Sequence, residues 1–196
     1  MAEATSIIDA APLQDRDLLL RLSLYFDGLE GRLRQGEGWF IFNAASQRAH
    51  RISWFIQQRL ADYSPSISYC LMPWRDFALS AYVQEIGLPE LGPAAHGVDD
   101  RAKRELEIAR HVAEKTYSAM IATEVLVVVG LKPAHDYEAT YLDRTLEGRY
   151  RQRLATILLT PDMPQELEAE FETVDPTRTY WERLYQRMYE TSLVAL

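Results

Sequence analysis

The chain has 196 residues, 47% of them hydrophobic and 26% charged, with 29 acidic against 21 basic side chains and a formal net charge of −8. That length supports one domain with a substantial core, and that charge excludes a protein uniformly coated for nucleic acid, leaving room only for a local basic face. The single cysteine, Cys70, excludes an internal disulfide, and no Cys/His cluster has metal-ligand spacing, so neither metal nor cofactor is expected.

The N-terminal stretch MAEATSIIDAAPLQDRD lacks a basic region followed by an apolar core, so it does not read as a secretory signal. No apolar run approaches the ~20 residues that span a bilayer, and a cytoplasmic protein without membrane contact is expected. Leu18–Leu20, Leu22, Leu24 and Phe26 predict an amphipathic helix before Gly36. A glycine turn then leads into WFIF (Trp39–Phe42), the first candidate strand. Arg48–Leu60 carries Ile52, Phe55, Ile56 and Leu60 at helical spacing. ISYCL (Ile67–Leu71) is the second candidate strand and would bury the Cys70 thiol. GLPELGPAAHG (Gly87–Gly97) reads as an exposed loop. Asp99–Met120 predicts a helix with Leu106, Ile108, Ala109, Val112 and Ala113 on its apolar face, opened by two acids that suit its N-terminus. VLVVV (Val125–Val129) is a third strand, His135–Arg151 a helix through Tyr137, Tyr141, Leu142 and Leu146, and ATILLT (Ala155–Thr160) a fourth strand. Thr179–Tyr189 predicts a helix with Trp181, Leu184, Tyr185 and Met188 inward, before the last strand, SLVAL (Ser192–Leu196). Continuous apolar runs, not alternating ones, suit strands covered on both faces of a parallel sheet, and their alternation with helices predicts a layered α/β fold.

From Gly36 the order is a glycine turn, a strand, a loop and a helix; VLVVVGL follows, then EGRYRQRLATILLTPDMPQEL, then WERLYQRMYE. This succession resembles the AAA+ ATPases, in the branch of bacterial helicase loaders and insertion-sequence transposition helpers, from Gly36 to Leu196. The resemblance implies a three-layer P-loop NTPase-like α/β fold of AAA+ type, with a parallel five-stranded sheet in the order 5-1-4-3-2. One domain is expected over residues 1–196, with 1–35 as a helical segment packed on it and no lid domain, since the chain stops at the fifth strand.

Laid on that pattern, the phosphate loop GxxxxGK[ST] falls on Asn43 through His50. Arg48 takes a glycine place, Ala49 the lysine place and His50 the magnesium-ligand hydroxyl place. Glycines let a loop wrap its N–H groups around phosphates, and the lysine carries charge to the outer ones. An imidazole suits magnesium poorly. The second motif puts Val129 and Gly130 where two acids position magnesium and activate water. The polar sensor position after the fourth strand is Asp162, whose carboxylate would repel a γ-phosphate. Degenerate Walker A and Walker B motifs of this kind imply no hydrolysis. Arg187 in LYQRMYE matches the family arginine that reaches into a neighbouring subunit, and Arg149, Arg151 and Arg153, near Arg144, form a concentrated basic stretch suited to a protein contact.

The remaining candidates weigh less. His50, His96, His111 and His135 are scattered, with only Glu114 near His111 on a helix turn, and Ser46 lacks a nucleophile-elbow setting. Arg101, Lys103, Arg104 and Arg110 alternate with acids and read as a solvated face. Trp74 and Tyr180, near element edges, are candidates for exposed contacts. The expected function is noncatalytic: a pseudo-ATPase regulatory or structural subunit of an assembly, linked by resemblance to DNA replication or transposition. The partner would be an active ATPase subunit or another assembly component, in a homo- or hetero-oligomer, with nucleic acid met only through a local basic face. A nucleotide or anion sensor working through Arg48 and loop amides, or an enzyme of unrelated chemistry on a doubly wound sheet, are the alternatives.

Overall fold

A computed structural model describes residues 11–86 and 100–196. The loop expected at Gly87–Gly97, with His96, lies outside the described residues. Two helices, α1 (Leu13–Asp27) and α2 (Leu29–Gln35), precede strand β1 (Gly38–Ile41) and helix α3 (Ser46–Ala61). Strand β2 (Tyr69–Pro73) runs directly into α4 (Trp74–Ala81), which continues as a π-helical turn over Tyr82–Ile86. Helix α5 (Asp100–Ala122), β3 (Val125–Val129), α6 (Asp136–Arg151) and β4 (Ala155–Leu159) follow. Helices α7 (Pro164–Val174) and α8 (Thr179–Thr191) lead to β5 (Ser192–Ala195).

The sheet order is β2-β3-β4-β1-β5, the expected order read from the other edge, and every neighbouring pair is parallel. Alternate strand residues point to opposite faces, and both faces are covered. Trp39, Ile41, Val125, Val127, Ile157 and Leu159 pack under α1 and α3, whereas Phe40, Leu126, Val128 and Leu158 pack under α4, α6, α7 and α8. That double burial is why the strands read as unbroken apolar runs.

Several elements differ from the sequence reading. The single helix expected before Gly36 is broken at Gly28, whose N–H closes α1 on Tyr25 O at 3.2 Å. Helices α4 and α7 have no counterpart in the sequence reading, although α7 carries its own signal: proline at its start and a Glu166 carboxylate accepting the Met163 N–H at 2.9 Å. Along α5, Ile108 and Val112 are exposed, and Ala113 and Met120 supply the buried contacts. Tyr185 on α8 is 54% exposed and not part of the core. Cys70 is half-buried.

Two glycines set how closely α2 and β1 approach β4. Gly36 ends α2 in the left-handed region at φ 69°, where a Cβ would stand 2.8 Å from the Arg153 carbonyl oxygen. A Cβ on Gly38 would fall 1.9 Å from the Thr156 oxygen, an overlap no side-chain shift relieves.

Candidate functional site

Open parallel sheets bind ligands beyond the carboxyl ends of their strands, and here the ends of β1, β3 and β4 meet the first turn of α3. Helix α3 begins at Ser46, so Arg48, Ala49 and His50 are already helical and only Asn43–Ala45 remain as loop. That loop is held by the neighbouring strand end: Asn43 N–H donates to Asp162 O at 3.0 Å and Ala44 N–H to Thr160 O at 2.8 Å. Asn43 and Ser46 both hold positive φ, at 53° and 49°. The first two amides of the matched stretch are therefore engaged within the chain itself.

Arg48 is spent in the same way. Its Nε donates to Asp15 Oδ1 at 2.9 Å, Nη1 to Asn43 O at 2.8 Å and Nη2 to Leu196 O at 3.1 Å. Asp15, on α1, is fully buried, and its Oδ2 accepts from Arg51 Nε at 3.1 Å and Nη2 at 2.5 Å. A carboxylate of the chain thus holds the two arginines of the first turns of α3. Sequence reasoning missed Asp15 and Arg51; a lone buried-helix acid gives no periodic signal. Ala49 packs against the core and His50 is exposed.

Val129 and Gly130, matched by resemblance to the two Walker B acids, lie at the end of β3. Val129 pairs within the sheet, and Gly130 sits at φ 81°, a backbone that disfavours an acid there. Two residues on, Lys132 Nζ lies 3.2 Å from Asp162 Oδ1 and 2.5 Å from Glu170 Oε1. Hydrogen bonding to Glu170, with a smaller share from Asp162, raises the Lys132 pKa against the opposing effect of burial. Burial raises the Glu170 pKa despite the lysine. The site therefore holds a protein cation between two carboxylates, the reverse of acids arranged around an external cation. Lys132 went unnoticed in the sequence because it follows the motif instead of occupying it.

The expected partner-binding arginines divide. Arg149 does not lie on a surface: it is 1% exposed, and donates to the carbonyls of Met120 (2.5 Å), Thr123 (2.9 Å) and Ala155 (2.5 Å) and to Thr156 Oγ1 (3.0 Å). Burial lowers its pKa to about 10, which still leaves the guanidinium charged at neutral pH. Its role is to clamp α5, α6 and β4 together through main-chain carbonyls. Arg187 is also engaged within the chain, bonding Asp143 Oδ1 and Glu147 Oε2, each at 2.6 Å, with a side chain 14% exposed. Arg151 pairs with Glu147 at 2.6 Å, whereas Arg153 is exposed. Arg144 pairs with Glu85 and lies over the Tyr117 ring.

Trp74 is not an exposed contact, being 9% exposed and stacked on Phe77, and the Tyr180 hydroxyl meets Thr140 Oγ1 at 2.9 Å. Tyr185 and Tyr189 are among the exposed aromatics, with Trp54, Tyr82 and Tyr150, and stack on each other along α8. Among the described residues no group of His, Cys, Asp and Glu is placed to hold a metal, and no helix is long and apolar enough to cross a membrane.

Neither the family models nor the curated sequences compared with this chain give a match. Solved structures do. The crystal structure of the DnaC helicase loader superposes with a TM-score of 0.59 at 12% identity, covering 95% of this chain and 92% of that one. A DNA replication initiation factor gives 0.58 at 12% identity, with 96% of this chain and 48% of that one. AMPPCP-bound DnaA from Aquifex aeolicus gives 0.57 at 12% identity, with 94% and 47%. With the parallel sheet order above, these show the fold: a five-stranded parallel α/β sheet covered on both faces, as in the DnaC helicase loader and DnaA structures. At this identity the likeness extends to the fold alone.

Proposed function

We propose that the protein is a noncatalytic AAA+-like subunit, a pseudo-ATPase that serves a protein assembly as a regulatory or structural component. One observation carries this reading: the chain supplies its own ions to its nucleotide site. Asp15 pairs with both Arg48 and Arg51 beside the shortened loop, and Lys132 bridges Asp162 and Glu170 where acids would face magnesium. Phosphoryl transfer depends on pre-set charges around the transferred group, and here those charges are mutually satisfied. The sensor alternative loses its cation, because the three kinds of donor nitrogen of Arg48 already have acceptors.

An AAA+ fold without a working site still offers assembly surfaces, and its fold neighbours include a helicase loader and a DNA replication initiation factor. A DNA-processing assembly is the setting we favour. The test is thermal unfolding with ATP or ADP, with and without Mg²⁺. A nucleotide present at 100 times its Kd would raise Tm by about 5–10 °C for a chain of this size. We expect no shift and no phosphate release; a shift of that order, or turnover that persists through purification, defeats the proposal.

A further inference from the structure

At the opposite end of the sheet from that site, a groove of ≈ 610 Å³ opens between the α2 turn, the α6–β4 turn and α8. Four arginines line it, Arg34, Arg151, Arg153 and Arg187, against one glutamate, Glu190. In a chain of net charge −8 that is a local reversal of sign. Arg151 and Arg187 share the acids of α6, and Glu190 accepts from Tyr150 and Gln186. Arg34 and Arg153 are different: both are exposed, and neither has a partner among the described residues. They also line a second groove that runs from the first toward Tyr63 and Ser66, where Glu30, Asp62 and Glu124 restore the acidic sign, so the basic character is confined to the first groove.

The main chain beneath these two arginines is closely packed. Gly36 and Arg153 both hold left-handed φ, 69° and 54°, and their main chains press together so closely that no Cβ fits on Gly36. Arg34 and Arg153 flank that junction and line the same two grooves. Buried Leu146 and Met188, with half-buried Leu154, supply an apolar floor beside them. Unpaired arginines around an apolar floor match an interface core with a charged rim, and arginine favours planar, bidentate anions.

We infer that this groove is the docking site for an acidic segment of a partner protein, with one apolar side chain on the floor and carboxylates on Arg34 and Arg153. Carboxylates interleaved with apolar residues fit both parts of the groove, whereas a polyphosphate backbone would use only the charge and leave the apolar floor of Leu146 and Met188 uncovered. The inference rests on the assembly reading above, but its test is separate. Nucleotide-dependent melting probes the other end of the sheet, and each result stands without the other.

The experiment is selection of a random dodecapeptide display library on the full-length protein, followed by anisotropy with the selected peptides. We expect enrichment of acidic residues flanking a leucine, methionine or phenylalanine. The Arg34→Gln/Arg153→Gln double variant should weaken those peptides at least about tenfold, ~1.4 kcal/mol, with an unchanged melting temperature, whereas Arg110→Gln on α5 should not affect them. Raising salt from about 50 to about 300 mM should weaken binding as well. No enrichment, or binding indifferent to the double variant, overturns the inference. So does retention of a random single-stranded oligonucleotide pool through the same arginines without peptide binding, or full displacement of the peptides by millimolar inorganic phosphate.

Discussion

Asp15 is the residue on which the proposed loss of nucleotide chemistry turns. It is fully buried, both oxygens are taken, and its partners come from another helix. Removing one side of such a pair strands the other charges, which typically costs about 3–5 kcal/mol. We expect Asp15→Ala to lose stability on that scale in urea denaturation. The variant also frees Arg48 and Arg51 at the start of α3, where helix N–H groups favour anions. Millimolar pyrophosphate should then raise the Tm of Asp15→Ala and leave the wild type unmoved. Equal responses of the two proteins would show that Asp15 does not substitute for an external anion.

Between elements, the α6–α8 contact is where the structure changes the expectation most. A residue matched to a family arginine that acts across subunits would leave stability untouched when removed. Instead Arg187 ties α8 to Asp143 and Glu147 of α6, so Arg187→Ala should cost about 1–3 kcal/mol. Its pH dependence follows from Glu147. Burial pushes that carboxyl up, but Arg151 and Arg187 outweigh it and hold its pKa below the ordinary 4.5. A depressed folded pKa contributes stability above pH 4.5, and that contribution is lost as pH falls through the folded value. The stability gap between wild type and Arg187→Ala should therefore narrow below that pH in urea titrations. A gap constant down to pH 3 would mean that the ion pairs contribute little, as many exposed pairs do (about 0–1 kcal/mol).

At the scale of the whole molecule, the two apolar cores share one sheet. Trp39 faces the α1–α3 side, whereas Phe40, its neighbour in β1, faces the other. Neither core can be exposed without dismantling strands that complete the other, so one cooperative transition is expected. Versions retaining only Trp39 or only Trp181 place a fluorophore in each core. Their urea midpoints should coincide with that from far-UV circular dichroism; separated midpoints would show that the faces unfold independently.

The strand positions, the parallel sheet and most helices were legible in the sequence, because burial on both faces and a 3.6-residue period leave a record within short windows. VLVVV matches β3 residue for residue, and ATILLT ends one residue past β4. The match of Ala49 and Gly130 to family positions is a reading of local pattern. The ion pairs around them were not legible, since those contacts join distant parts of the chain: Asp15 meets Arg48 across 33 residues and Lys132 meets Asp162 across 30. The arginines make the same point. Arg149, Arg153 and Arg187 are alike as letters, and a charged side chain is presumed solvated unless acceptors gather round it. Only the packed chain brings the Met120 and Ala155 carbonyls to Arg149 and two α6 carboxylates to Arg187, while leaving Arg153 unpaired beside Arg34. Periodicity records which side of an element is dry, whereas the pairing of charges depends on which elements meet, and that is decided by tertiary packing.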